Sequence, residues 1–282
     1  MTTATTPRAR LRARLDDGPL LADGGMGTLM YARGVPQAAC LEELATTRPG
    51  LVGAAHREYI EAGAELIETL SLGANRRRLA VFGLEGDVGR LNRRAAQVAR
   101  EARDVAGRDV LVGGSVGPLA PPMRQLDRVS DAEARAAFRE QIDGLLEGGV
   151  DVLVLETFSN VGQLLIALDE ARAAADLPVI ASLTFGEEPA LADGTEAAVA
   201  AELLAAAGAD VVGVNCGAGP VATLDALGRF AAALASPGAA APPSSIMPNA
   251  GLPQRLEGRF VYAAGADYFG AVVPRVLAAG AR

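Results

Sequence analysis

Cysteine is scarce in this chain. There are two, Cys40 and Cys216, too few for a disulfide framework, so a reducing, cytoplasmic setting is expected. Histidine is scarcer: the sole one, His56, sits in a helical stretch between Ala55 and Arg57, which reads as a structural or surface position rather than a general base. No apolar run reaches the roughly 18 residues a membrane span needs, and no apolar stretch follows the first arginines, so neither a membrane partner nor a secretory signal is expected. Excess positive charge is missing as well. Lys plus Arg number 26 against 34 Asp plus Glu, a formal charge of -8, which argues against a nucleic-acid partner.

What the chain does have is enough apolar content, 50% of 282 residues, to bury one large core. Short apolar runs alternate with Ala/Leu/Glu/Arg stretches of helical period, the pattern of βα units on a parallel sheet. The predicted strands are Pro19–Asp23, Glu65–Thr69, Val110–Ser115, Asp151–Glu156, Pro178–Thr184, Asp210–Cys216 and Ser244–Asn249. Helices are predicted near 50–62, 87–106, 131–147, 160–175, 195–207, 220–235 and 266–279. Seven strand–helix units without a cluster of Gly-rich phosphate loops favour an α/β fold of the (β/α)8 TIM-barrel kind over a doubly wound sheet. An eighth strand is not found: Gly280-Ala281-Arg282 reads as the turn before it. Residues 1–17, with Arg8, Arg10, Arg12 and Arg14, read as a short solvated lead-in, and 18–282 as the barrel domain, incomplete at its C-terminus.

In such a barrel the chemistry sits at the carboxyl ends of the strands. Those ends are Asp23, Thr69, Ser115, Glu156, Thr184, Cys216 and Asn249, all polar after apolar runs. Ser115 and Thr184 read mainly as caps of the following helices. Asp23 is followed by Gly24 and Gly25, whose backbone N–H groups can approach an anionic ligand. Glu156 is costly to bury unpaired, so it calls for a ligand ammonium or a structural arginine. Cys216 is either an inert buried thiol or half of a metal site. Arg76-Arg77-Arg78 reads as a solvated run, with an anion grip as the alternative.

Several of these segments carry a resemblance. Leu21-Ala22-Asp23-Gly24-Gly25-Met26-Gly27-Thr28, Thr47-Arg48-Pro49, His56-Arg57-Glu58-Tyr59, Glu61-Ala62-Gly63-Ala64, Gly73-Ala74-Asn75, Gly114-Ser115-Val116-Gly117-Pro118, Glu156-Thr157, Gly213-Val214-Asn215-Cys216 and Pro248-Asn249-Ala250-Gly251 are similar, in order, to homocysteine S-methyltransferases. The stretch Leu29–Pro36 resembles the N-terminal domain of bacterial proteins that fuse this activity to a methylenetetrahydrofolate reductase, and the same domain begins cobalamin-dependent methionine synthases. The resemblance implies methyl transfer to the thiol of L-homocysteine, giving methionine, with Zn2+ deprotonating that thiol. It implies Asp23 and Glu156 on the homocysteine amino group, Gly24, Gly25 and Thr69 around its carboxylate and backbone, Asn215 bracing the strand end, and Cys216 as one of three zinc thiolates. The other two belong to a Gly-Gly-Cys-Cys motif expected a few residues beyond Arg282. Cys40, in the region after the first strand, is no obvious substitute.

The implied partners are homocysteine and a small-molecule or cobalamin methyl donor, with a reductase or cobalamin domain as a possible protein partner. Methyltetrahydrofolate, a methylated cobalamin domain, S-methylmethionine and betaine all stay open as donors. Where the family has Glu-Thr-Asn-Thr-Phe after the second strand, this chain has Glu68-Thr69-Leu70-Ser71-Leu72. The alternative reading is an inactive fragment or pseudo-enzyme without a complete zinc site. An unrelated aldolase or phosphate enzyme fits less well, because no lysine ends a strand.

Overall fold

The computed structural model describes residues 6–120, 129–235, 241–252, 254–256 and 259–282. Six strands, β1 (Leu66–Glu68), β2 (Leu111–Val116), β3 (Val152–Phe158), β4 (Val179–Leu183), β5 (Val211–Cys216) and β6 (Ser244–Pro248), form one parallel sheet in sequence order. A parallel neighbour on the next unit requires a crossover, and helices supply it. In chain order they are α1 (Pro7–Asp17), α2 (Met26–Ala32), α3 (Leu44–Thr47), α4 (Pro49–Glu61), α5 (Arg76–Leu79), α6 (Val88–Ala106), α7 (Asp131–Gly148), α8 (Val161–Ala174), α9 (Ala197–Ala206), α10 (Pro220–Leu234) and α11 (Ala266–Ala278). The seven predicted helices correspond to α4 and α6–α11.

The middle of the sheet is apolar throughout because it is covered on both faces. All of β2 is buried, as is β5 up to Asn215, whereas β6 is only half-buried beyond Ser244. Outer helices and strands share one core containing Ile67, Val112, Phe138, Leu153, Leu155, Phe158, Leu164 and Phe230. Helix boundaries follow local chemistry. The Ser130 side chain and Glu133 close a reciprocal capping box on α7, which stops at Gly149 in the left-handed region, φ +84°.

The sequence-level picture needs four corrections. The first predicted strand contracts to a single parallel bridge, Ala22 to Leu66, flanked by Glu65 N–H to Leu21 O at 2.8 Å and Asp23 N–H to Leu66 O at 2.9 Å. It lies against β1 but finds no second neighbour among the described residues, so Leu21 stays 57% exposed. The end of the chain is more than a turn. Gly280 does turn, at φ +93°, but Ala281 then bridges Ser244 in parallel and Arg282 N–H donates to Ser244 O at 2.9 Å, so the first rung beside β6 is present. The stretch after β6 holds an unforeseen antiparallel hairpin, β7 (Gln254–Leu256) with β8 (Arg259–Val261).

Helix α1 is the fourth correction. It is not simply solvated: Leu11 and Leu15 pack on Leu66, Leu111, Val152, Val154 and Val211. These residues lie at or near the starts of their strands, so α1 closes the floor of the curled sheet, opposite the strand carboxyl ends. Its arginines reach outward to the rim, Arg8 to Asp176 at 3.2 Å, Arg14 to Glu65 at 2.8 Å, and Arg10 to Asp109.

Candidate active site at the strand mouths

The strand carboxyl ends bring together Asp23, Glu68, Ser115, Glu156, Thr157, Asn215 and Cys216. Asp23 follows the short edge segment, and its Oδ2 accepts from the Glu68 backbone N–H at 3.0 Å. The other oxygen, Oδ1, is buried without a hydrogen-bond partner. An unsatisfied carboxylate in that position is unfavourable, and burial pushes the Asp23 pKa up to about 8. Glu68 is also held well above the usual carboxylate range, first by burial and then by the charges of Glu156 and Asp23. Glu156 is raised too, again by burial, although hydrogen bonds from Ser115, Glu68 and Thr157 pull the other way. Among the described residues no arginine stands close enough to offset any of the three groups.

Glu156 is fixed from both sides. Ser115 Oγ donates to Oε1 at 2.5 Å and Asn215 Nδ2 to Oε2 at 3.2 Å. The helix-cap reading of Ser115 therefore gives way, and so does that of Thr184, whose hydroxyl donates to Asn215 O at 2.9 Å. Among the described residues no arginine pairs with Glu156, so the structural-arginine reading finds no partner there. Asn215 on β5 reaches past β4 to the end of β3 through Thr157: its Oδ1 accepts from Thr157 N–H at 2.8 Å, and its Nδ2 donates to Thr157 Oγ1 at 2.8 Å. Cys216 Sγ lies 3.6 Å from both Asn215 Nδ2 and Thr157 Oγ1. Burial raises the Cys216 thiol, opposed by the Thr157 hydroxyl.

Other expected residues have different neighbours. Thr69 is buried, and its hydroxyl is engaged by Ser71 Oγ at 2.6 Å and Ser115 N–H at 3.0 Å, so it braces β1 against β2. Gly24 and Gly25 are exposed on the path into α2. A Cβ on Gly24 would lie 3.2 Å from the Tyr59 ring and hydroxyl, which explains a small residue there. Asn249 donates to Gly217 O at 3.2 Å. His56 is completely buried, both ring nitrogens lack partners, and its pKa falls to about 4, so it is neutral and structural. Cys40 belongs to a separate cluster with Leu79, Val88 and Leu91; burial pushes its thiol up to about 11. Arg76 pairs with Glu140 at the surface. A groove of about 1010 Å³ between α10 and α11 is lined by Val221, Leu224, Arg229, Tyr268 and Arg275, but by none of the mouth carboxylates.

Two members of the constellation escaped the sequence reading. Glu68 had a usable signal, a carboxylate closing the apolar run Leu66-Ile67, the same criterion that selected Glu156. Thr157 had none, because its role depends on a backbone conformation. For a metal the residues present fall short. Among the described residues no group of three or more His, Cys, Asp or Glu could hold an ion, and Cys216 supplies one thiol at the mouth. The set does not fit Zn2+, which in closed sites takes four donors.

Comparison with known proteins agrees with the geometry. The sequence model of the homocysteine S-methyltransferase family matches residues 20–282. Methionine synthase of Mycobacterium tuberculosis is 32% identical over 250 residues, covering 83% of this chain and 20% of that protein. Betaine–homocysteine S-methyltransferase 1 of Xenopus laevis is 33% identical over 214 residues, 73% of this chain and 51% of that one. The chain thus spans a fifth to a half of these two relatives. In three dimensions, the metallated form of the homocysteine methyltransferase MmuM from Escherichia coli superimposes with a TM-score of 0.79 at 28% identity, covering 96% of this chain and 92% of that one. With the family model spanning nearly the whole sequence and a like fold placing these strand ends together, the chain belongs to the homocysteine S-methyltransferase family.

Proposed function

We propose that this protein binds L-homocysteine at the strand mouths and transfers a methyl group to its sulfur, giving methionine. One observation carries the reading: three carboxyl groups, Asp23, Glu68 and Glu156, are gathered at the half-buried mouth with no cationic partner among the described residues, and one Asp23 oxygen is buried and unsatisfied. A ligand ammonium supplies both the missing charge and the missing hydrogen bonds. Asp23 and Glu156 receive it, while Glu68 keeps its proton and stays neutral. The N–H groups around Gly24 and Gly25 face the amino acid's carboxylate, and Asn215 keeps Glu156 in place.

In the transfer, the homocysteine sulfur attacks the donor's methyl carbon. A carbon–sulfur bond forms, the bond from that carbon to the donor atom breaks, and the donor leaves with the electron pair while the thiol proton passes to solvent. The name of one relative brings betaine forward as a donor class. Zn2+ with Cys216 as one ligand is the family expectation, but the donor set described above does not fit it, and no step here depends on it.

The test is calorimetric titration with L-homocysteine near neutral pH, followed by assay of methionine with S-methylmethionine, betaine and methyltetrahydrofolate, with and without added Zn2+. Glu156→Gln and Asp23→Asn are expected to weaken binding at least about tenfold, as loss of a charged hydrogen bond does. Glu68→Gln, which mimics a neutral carboxyl, should stay within about threefold of wild type. A folded protein that binds no homocysteine would sink the proposal. Binding with no methionine from any donor would favour the second reading, an inactive member of the family.

A further inference from the structure

Thr157 and Cys216 are the two non-glycine residues with positive φ among those described, at +64° and +55°. Thr157 is the last residue but one of β3 and Cys216 the last of β5, and the two strands are separated by β4 in the sheet. A left-handed turn at a β-branched residue is unfavourable by itself and persists where its surroundings enforce it. Asn215 is the enforcing group. By accepting the Thr157 backbone N–H at 2.8 Å, its Oδ1 fixes the turn. Its Nδ2 has two hydrogens and three acceptors in reach: Thr157 Oγ1 at 2.8 Å, Glu156 Oε2 at 3.2 Å and Cys216 Sγ at 3.6 Å.

The shortest of those contacts makes the Thr157 hydroxyl an acceptor. Its own proton is then left for Cys216 Sγ, 3.6 Å away, or for the adjoining Glu156 carboxylate. In either orientation the hydroxyl lies between the two groups. We infer that Thr157 is a positioning residue of this site: its left-handed turn and its hydroxyl, acting with Asn215, hold the Glu156 carboxylate and the Cys216 sulfur in one constellation. This rests on the mouth being an amino-acid site. Glycine would relieve the backbone here but would remove the hydroxyl and loosen the turn.

Three variants test the inference, Thr157→Ser, Thr157→Val and Thr157→Gly, each read by homocysteine affinity and by thermal midpoint. Serine should bind within about threefold of wild type. Valine and glycine should bind at least about tenfold more weakly, the scale of a lost hydrogen bond to a charged group, with the glycine variant melting no lower than wild type. Wild-type affinity in both the valine and glycine variants overturns the inference, as does a loss in all three that merely follows their stability. Should wild type itself bind no homocysteine, the amino-acid reading fails separately, and alkylation of Cys216 by iodoacetamide decides. Buried Cys40 then serves as the slow internal reference. Rates at Cys216 that differ at least about threefold from wild type in the valine and glycine variants, but not in serine, support the positioning role. Equal rates in all four proteins overturn it.

Discussion

At the scale of single residues, the site is a set of carboxyl groups that the fold places against their electrostatic preference. An unfolded aspartate gives up its proton near pH 4, whereas native Asp23 keeps it up to about 8. Between those values the native state binds more protons than the unfolded one, so the free energy of unfolding falls as pH rises through that window. Glu68 and Glu156, also raised, act with the same sign. Urea midpoints of the ligand-free protein should therefore drop between about pH 5 and about pH 8, and drop less in Asp23→Asn. Parallel pH profiles for the two proteins would contradict the burial of Asp23. Asp23, Glu156 and Cys216 were legible in the sequence because each closes an apolar run, where a polar group is costly without a purpose. The upward shift of Glu68 was not, since it depends on burial at the mouth and on carboxylates from other segments.

At the scale of elements, α1 shows how composition misleads. Its arginines suggest a solvated arm, yet Leu11 and Leu15 recur four residues apart on one face, and that face finds the floor of the sheet. Leu11 is 3% exposed, so Leu11→Ala should cost about 2–5 kcal/mol in chemical unfolding. Arg12→Ala, removing an exposed pair with Asp16, should cost under about 1 kcal/mol. Near-equal costs would show that the floor contact is not formed in solution. Helices α4 and α6–α11 were readable from their period because they bury one face each. The short α2, α3 and α5 were not, being too brief for a period to register. The β7–β8 hairpin was missed for a related reason: three-residue strands offer no alternation to recognise.

At the scale of the whole molecule, the curled sheet has a protected centre and weaker margins. Strands β2–β5 have partners on both sides, whereas among the described residues β6 pairs along its length only with β5, plus the one bridge from Ser244 to Ala281. Hydrogen exchange should accordingly be slowest in β3 and β4 and faster at Ile246 and Met247, because local opening follows burial and pairing. Uniform protection from β2 to β6 would mean that the β6 margin is covered by further pairing in solution.

The sequence by itself determined the alternation of strands and helices, their order, and which strand ends are polar, because those features depend on local periodicity and on the cost of polar groups in apolar runs. Only the tertiary structure decided that Asp23, Glu68 and Glu156 share one site, without a cationic partner among the described residues, and that the residue after Glu156 turns left-handed under the hold of Asn215. These are properties of distance between strands far apart in the chain, and no local pattern encodes them.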